Sequence, residues 1–176
     1  GTSAGVAGSE PTGRAFQKLV FDLDYPMFVV TATAADDGER SGCLIGFATQ
    51  TSIEPQRFLV CLSRKNHTHG VAARATHLGV HFVPDDAVAL AELFGGETGD
   101  ETDKLARAAW REGPHGIALL DDAPNRFVGE IVARLDAGDH EALLLAPVWA
   151  EAGAPGADEL TFERAKGIEP GHPATE

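Results

Sequence analysis

The sequence predicts a mainly β fold, a closed antiparallel barrel interrupted once by a helical excursion. Three observations point there. About six short apolar, β-branched runs are joined by mostly short links. Two of those links carry the turn pairs Asp37-Gly38 and Gly138-Asp139, which supply the positive φ of tight hairpins. Apart from one short turn of helix, helical patterning is confined to one stretch after Pro84. Regular strand–helix alternation would give a parallel sheet, whereas this order favours antiparallel neighbours that close on themselves.

Taken along the chain, residues 1–15 are rich in Gly, Ser and Ala and read as a flexible lead. The body begins near Phe16. Tyr25-Pro26-Met27 forms a turn before the strand Phe28 to Thr33, and the chain returns from Ser41 to Phe47. Gly46 to Ser52 reads as a polar connection, broken by Ile53-Glu54-Pro55-Gln56. Arg57 to Ser63 is a strand, Val71 to Ala75 a short helix, and Thr76 to Val83 a further strand. Two helices are expected next. The first is opened by Asp85-Asp86-Ala87 and ended by Gly95-Gly96, and the second runs from Asp100 to Arg111. Ile117–Leu120, Arg126–Leu135 and Glu141–Val148 complete the strands. The tail from Gly153, with its repeated Gly and Pro, is expected to be loose or to wrap over a surface. The division is therefore a lead (1–15), one domain (16–150) and a tail (151–176).

The chain has 176 residues, 27 of them acidic and 14 basic, for a net charge of −13. That length suits one domain. Its charge excludes a general binder of nucleic-acid polymers or anionic membranes, which need clustered cations. Cys43 and Cys61 each lie in an apolar run and read as buried hydrophobes, not a disulfide framework. No apolar run approaches the ~20 residues that span a bilayer. Residues 1–13 lack the pattern of a secretory signal, so the expected compartment is the cytoplasm.

Charge placement is the most informative feature. From Pro55 to Pro84 there is no Asp or Glu, yet the stretch carries Arg57, Arg64, Lys65, Arg74 and four of the seven histidines. One reading is a local anion site at Ser63-Arg64-Lys65-Asn66-His67-Thr68, a loop between strand and helix whose cations, hydroxyls and free N–H groups suit a phosphate monoester. The other is that these cations simply snorkel over an acidic partner surface. Thr49-Gln50-Thr51, among small residues, would let backbone approach a flat ligand, or would simply be a polar link. His140, after the turn at Gly138-Asp139, is a solvated turn residue unless the turn closes over a pocket, where it could carry a proton. No metal site is expected. His77 and His81 share a strand face about 13 Å apart, too far for one zinc. Motifs for serine hydrolysis, Walker loops and dinucleotide fingerprints are absent.

The ordered set Gly42 to Pro55, Phe58 to Ser63, Asn66-His67-Thr68, Phe94 with Asp103-Lys104-Leu105, Arg126-Phe127-Val128-Gly129-Glu130 and Gly138-Asp139-His140 resembles the flavin reductase-like family, over about Phe21 to Val148. The resemblance implies a split β-barrel of Greek-key type that binds FMN, with FAD as the alternative flavin, and forms a homodimer. It implies that Thr49, Gln50 and Thr51 meet the flavin ring and ribityl chain. Ser63, Arg64, Lys65, Asn66 and Thr68 would hold the phosphate, and His140 would sit by the ring near the nicotinamide. The implied activity is NAD(P)H-dependent reduction of flavin, with a monooxygenase as a downstream partner. A flavin carrier without reductase activity and a split-barrel oxidoreductase using a deazaflavin are the rival functions. Pro26-Met27-Phe28-Val29 lacks the family's Gly, Glu54-Pro55-Gln56 replaces Asp-Pro-Pro, and Asp103-Lys104-Leu105 stands for Asp-Arg-Phe. These departures touch access to the ring more than the phosphate turn.

Overall fold

The computed structural model describes residues 10–96, 103–153 and 158–168. Its centre is a seven-stranded antiparallel sheet in the order β2-β1-β5-β8-β9-β4-β3. The strands are β1 (Phe28–Thr33), β2 (Arg40–Ile45), β3 (Ala48–Ser52), β4 (Arg57–Ser63), β5 (His77–Phe82), β8 (Arg126–Asp136) and β9 (His140–Glu151). Hairpins at Gly38 (φ 77°) and Gly138 (φ 109°) join β1 to β2 and β8 to β9, as the turn residues require. Register shifts in the long β8–β9 pair, between Val128 and Gly129 and between Ile131 and Ala133, bend the sheet.

β2 and β3 are edges and do not pair with each other. The barrel is therefore split. Helix α2 (His67–Ala72) packs against β1, β2 and β4, and its Val71 and Ala72 enter the core with Val30, Cys43, Val60, Leu62, Val80 and Leu143. Burial pushes the Cys43 thiol up to about 11, which keeps it an inert apolar filler.

β1 is buried on both faces because a second layer covers the outside of the barrel. Helix α3 (Val88–Gly96) lies on β2 through Phe94 and Leu90, and the small hairpin β6 (Trp110–Glu112) with β7 (Ala118–Leu120) lies on β1 and β5. Thr31 Oγ1 donates to Ala118 O at 2.9 Å. His81 is wholly buried between these layers. Its Nδ1 donates to Val29 O at 3.0 Å and its Nε2 accepts the Leu120 N–H at 3.0 Å, which fixes one neutral tautomer. Burial, helped by nearby Arg126, pushes this imidazole down to about 4.

Four sequence expectations change. The short helix expected at Val71 to Ala75 lies earlier, at His67–Ala72, where Asn66 caps it. Glu10–Phe21 forms helix α1, part of which falls in the expected lead, while residues 1–9 lie outside the described residues. Pro11 and Glu10 suit a helix start, a signal that the Gly-rich composition obscured. The helix expected over Asp100 to Arg111 reduces, in its described part, to one 3-10 turn at Leu105–Arg107. Trp110 then starts β6, because pairing with β7 overrides weak helical patterning. The link at Gly46 to Ser52 contains strand β3, held by β4. The described part of the tail beyond Gly153, 158–168, lies against the body, one of its two expected courses: Met27 N donates to Leu160 O and Leu160 N to Val83 O, and a short helix α4 (Phe162–Ala165) follows.

Candidate active site

Three segments predicted from sequence meet on the neighbouring strands β3, β4 and β9. β4 ends at Ser63, which pairs directly with His140, the first residue of β9. Phe47 O accepts the Cys61 N–H at 2.9 Å, and Thr49 pairs with Leu59. From Leu59 to Ser63 the strand spans about 13 Å. The β4–α2 turn thus stands at one end of a strip, Thr49 to Thr51 at the other, and His140 beside the turn.

Within the turn, the residues divide by task. Asn66 caps α2, its Oδ1 accepting the Thr68 N–H at 2.9 Å. Thr68 is buried and its Oγ1 lies 2.7 Å from Ser41 Oγ, so it ties the helix to β2 and does not face solvent. Ser63 Oγ accepts the Lys65 N–H at 3.3 Å. Arg64 is exposed but engaged: Nη2 donates to Asp136 at 2.8 Å and Nε to Gly138 O at 3.1 Å, while its backbone N–H donates to Asp139 O at 2.9 Å. The backbone N–H of Gly138 and then the Arg64 guanidinium hold the Asp136 carboxyl below its usual range. Lys65 points outward and, among the described residues, has no ion-pair partner.

The other charges of the Pro55–Pro84 stretch are largely matched inside the protein. Arg74 pairs with Asp36, Asp37 and Glu39, His67 with Glu39, and His69 with Glu141. The acids that hold these groups belong to this chain itself. His67 and then Arg74 hold the Glu39 carboxyl below its usual range. Among the described residues no cluster of three or more His, Cys, Asp or Glu is arranged to hold a metal ion.

Thr49, Gln50 and Thr51 are exposed on β3. As an edge strand, β3 leaves one row of backbone donors and acceptors without a strand partner, and the irregularity between Gln50 and Ser52 turns its end. His140 Nδ1 donates to Asp139 Oδ1 at 2.7 Å, leaving Nε2 for other contacts. Its ring lies 5.0 Å from that of Phe47. Phe47 in turn neighbours Tyr25 at 6.4 Å, and Tyr25 stacks on Phe162 at 4.8 Å. Gly46 sits under Tyr25, whose ring a Cβ would strike. The rings of Tyr25, Phe47 and Phe162, with α1, border an apolar groove of about 680 Å³. Tyr25 and Phe162 were invisible as site neighbours in the sequence, since nothing local joins residues 25, 47 and 162.

The donor set fits a phosphorylated, flat heteroaromatic cofactor. A backbone row that has no strand partner among the described residues, though Gln50 O and Ser52 O accept from the side chains of Thr49 and Gln50, can meet the polar edge of a ring, Phe47 offers an apolar surface, and Lys65 offers a cation to a phosphate. The chain belongs to the flavin reductase-like family: the flavin reductase like domain model matches residues 21–167. The chain is 24% identical over 135 residues to the reductase component of the FADH(2)-dependent resorcinol hydroxylase of Rhizobium sp. (strain MTP-10005), covering 77% of this chain and 75% of that one. It is 31% identical over 130 residues to the FMN reductase (NADH) RutF of Methylorubrum extorquens, covering 74% of this chain and 62% of the relative. In structure it resembles the NADH:FAD oxidoreductase of Streptomyces globisporus with a TM-score of 0.76 and 21% identity, over 88% of this chain and 91% of that one. That likeness establishes the split-barrel fold.

Proposed function

We propose that this protein is an NAD(P)H-dependent flavin reductase that takes FMN, accepts FAD as a second flavin, and hands reduced flavin to a partner monooxygenase. The observation that carries the reading is that three adjacent strands, β3, β4 and β9, bring together an exposed edge strand, the outward cation of the turn that follows β4, and His140. Relatives named as reductase components, such as that of the 4-hydroxyphenylacetate 3-monooxygenase of Pseudomonas aeruginosa, support the monooxygenase partner.

When bound, the flavin supplies the redox chemistry, taking a hydride from the reduced nicotinamide. The chain's own residues bind and orient. β3 backbone at Thr49 to Thr51 meets the ring edge, Lys65 pairs with the phosphate, and Ser63 offers its hydroxyl beside it. Arg64, Asn66 and Thr68 act one step back, shaping the turn. Phe47 keeps water from one side of the strip, and His140 Nε2, with Nδ1 held by Asp139, offers a hydrogen-bonding nitrogen there. No acid–base pair is required, because holding two rings in contact supplies most of the advantage.

A homodimer fits the exposed apolar side chains Phe16, Leu19, Phe21, Leu23 and Phe47, which a second subunit would cover. The described residues include no helix long and apolar enough to cross a membrane, and work in the cytoplasm suits a consumer of reduced nicotinamide nucleotides. The test is anaerobic mixing of protein, FMN and NADH, then NADPH, against a protein-free control. Fast catalytic bleaching of the flavin supports the reductase. Tight flavin binding without bleaching favours a carrier, and turnover only with a deazaflavin favours that cofactor.

A further inference from the structure

We infer that His69 and Glu141 are a positioning pair that locks the phosphate-holding turn onto β9 and thereby sets preference for FMN over riboflavin; the inference rests on the flavin reading above. α2 has six residues, too few for its own hydrogen bonds to hold it in shape. Its placement therefore depends on ties to the barrel. Thr68 ties its first turn to Ser41 on β2. His69, whose N–H donates to Asn66 O at 3.0 Å, ties its middle to Glu141 on β9 through Nε2 to Oε1 at 3.0 Å. A carboxylate only accepts, so His69 carries the proton on Nε2.

Glu141 pairs in register with the core residue Leu62, so its carboxylate faces the same inward side of the sheet. Both side chains of the pair are 18% exposed. Arg134 on β8 supports it, with Nη1 3.8 Å from the same Oε1 and Nη2 donating to Ala72 O and Ala75 O at the far end of α2. Glu141 directly follows His140. The bond to His69 therefore fixes the helix that begins at the Lys65 turn against the strand that begins at His140. Without it Ser63 and Arg64 stay tied to the β8–β9 hairpin, but the stretch from Lys65 into α2 can shift from β9, while β3, held separately by β4, keeps its place. Phosphate contacts weaken and ring contacts remain.

The experiment measures dissociation constants for FMN and for riboflavin, which lacks the phosphate, with folding checked by circular dichroism and thermal melting. His69→Ala is expected to weaken FMN about tenfold and leave riboflavin unchanged. His69→Gln, which retains a donor toward Glu141, restores most of the preference. Glu141→Ala removes the tie from the β9 side, leaves α2 unaltered, and is expected to match His69→Ala; it decides the matter if His69→Ala does not fold. Equal weakening of FMN and riboflavin, or no change in either, overturns the positioning role. Wild-type protein that binds no FMN overturns the flavin reading itself and is distinguished before any variant is made.

Discussion

The imidazole of His140 and the ring of Phe47 lie 5.0 Å apart, although one opens β9 and the other precedes β3. Their meeting joins the turn at Gly138-Asp139 to the edge strand through side chains alone. Replacing His140 by Ala should slow hydride transfer by about 100-fold while changing flavin affinity little, as expected for a group aimed at developing charge. Anaerobic stopped-flow reduction and a flavin titration separate the two effects. Collapse of binding with an unchanged reduction rate would make His140 a holder of the cofactor.

Lys65 predicts a different pattern. Lys65→Ala should cost FMN binding about 1.5 kcal/mol, the low end for a charged hydrogen bond because the side chain is exposed. Riboflavin binding should be unaffected, and the difference should shrink in high salt. Isothermal titration at two ionic strengths checks both points; equal loss for the two flavins would remove Lys65 from the phosphate.

His81 predicts the acid limit of the fold. Its native value of about 4 lies below the ~6.5 of an unfolded histidine, so the unfolded chain binds more protons between those values. Stability from this group is full above about pH 6.5 and falls as pH drops through about 4, by roughly 3 kcal/mol in all. Urea midpoints measured from pH 7 to pH 4 should decline accordingly, and a flat profile would show that His81 does not govern it.

Gly79 predicts a packing cost. A Cβ there would stand 2.5 Å from Thr31 Oγ1 and 2.6 Å from Ile117 Cγ2, and Thr31 is already pinned to Ala118 O. Gly79→Ala should therefore lose about 2 kcal/mol. A lower urea midpoint with an unchanged slope is the expected signature.

Much of this architecture was readable in the residues. Phe28–Thr33 and Arg57–Ser63 have the same bounds in the sequence reading and in the structure, because both are short, strongly apolar and closed by turn residues. β3 was hidden because its exposed Ala-Thr-Gln-Thr-Ser has no apolar alternation; only β4 makes it a strand. The Ser63–Thr68 turn was legible as a cluster, but its division of labour was not. Arg64 is taken by Asp136 and Thr68 by Ser41, partners 72 and 27 residues away. Local spacing carries no trace of such pairings, just as it cannot show that Glu39 and Glu141 would claim His67 and His69.

An edge strand invites unwanted partners, since its free backbone groups can template a neighbouring chain. β3 is such an edge, lying beside exposed Phe47 and Ile53. A flavin laid along Thr49 to Thr51 would occupy those same groups. Cofactor supply would then govern solubility as well as catalysis: the empty protein should clump on storage, and added FMN should act as its chaperone.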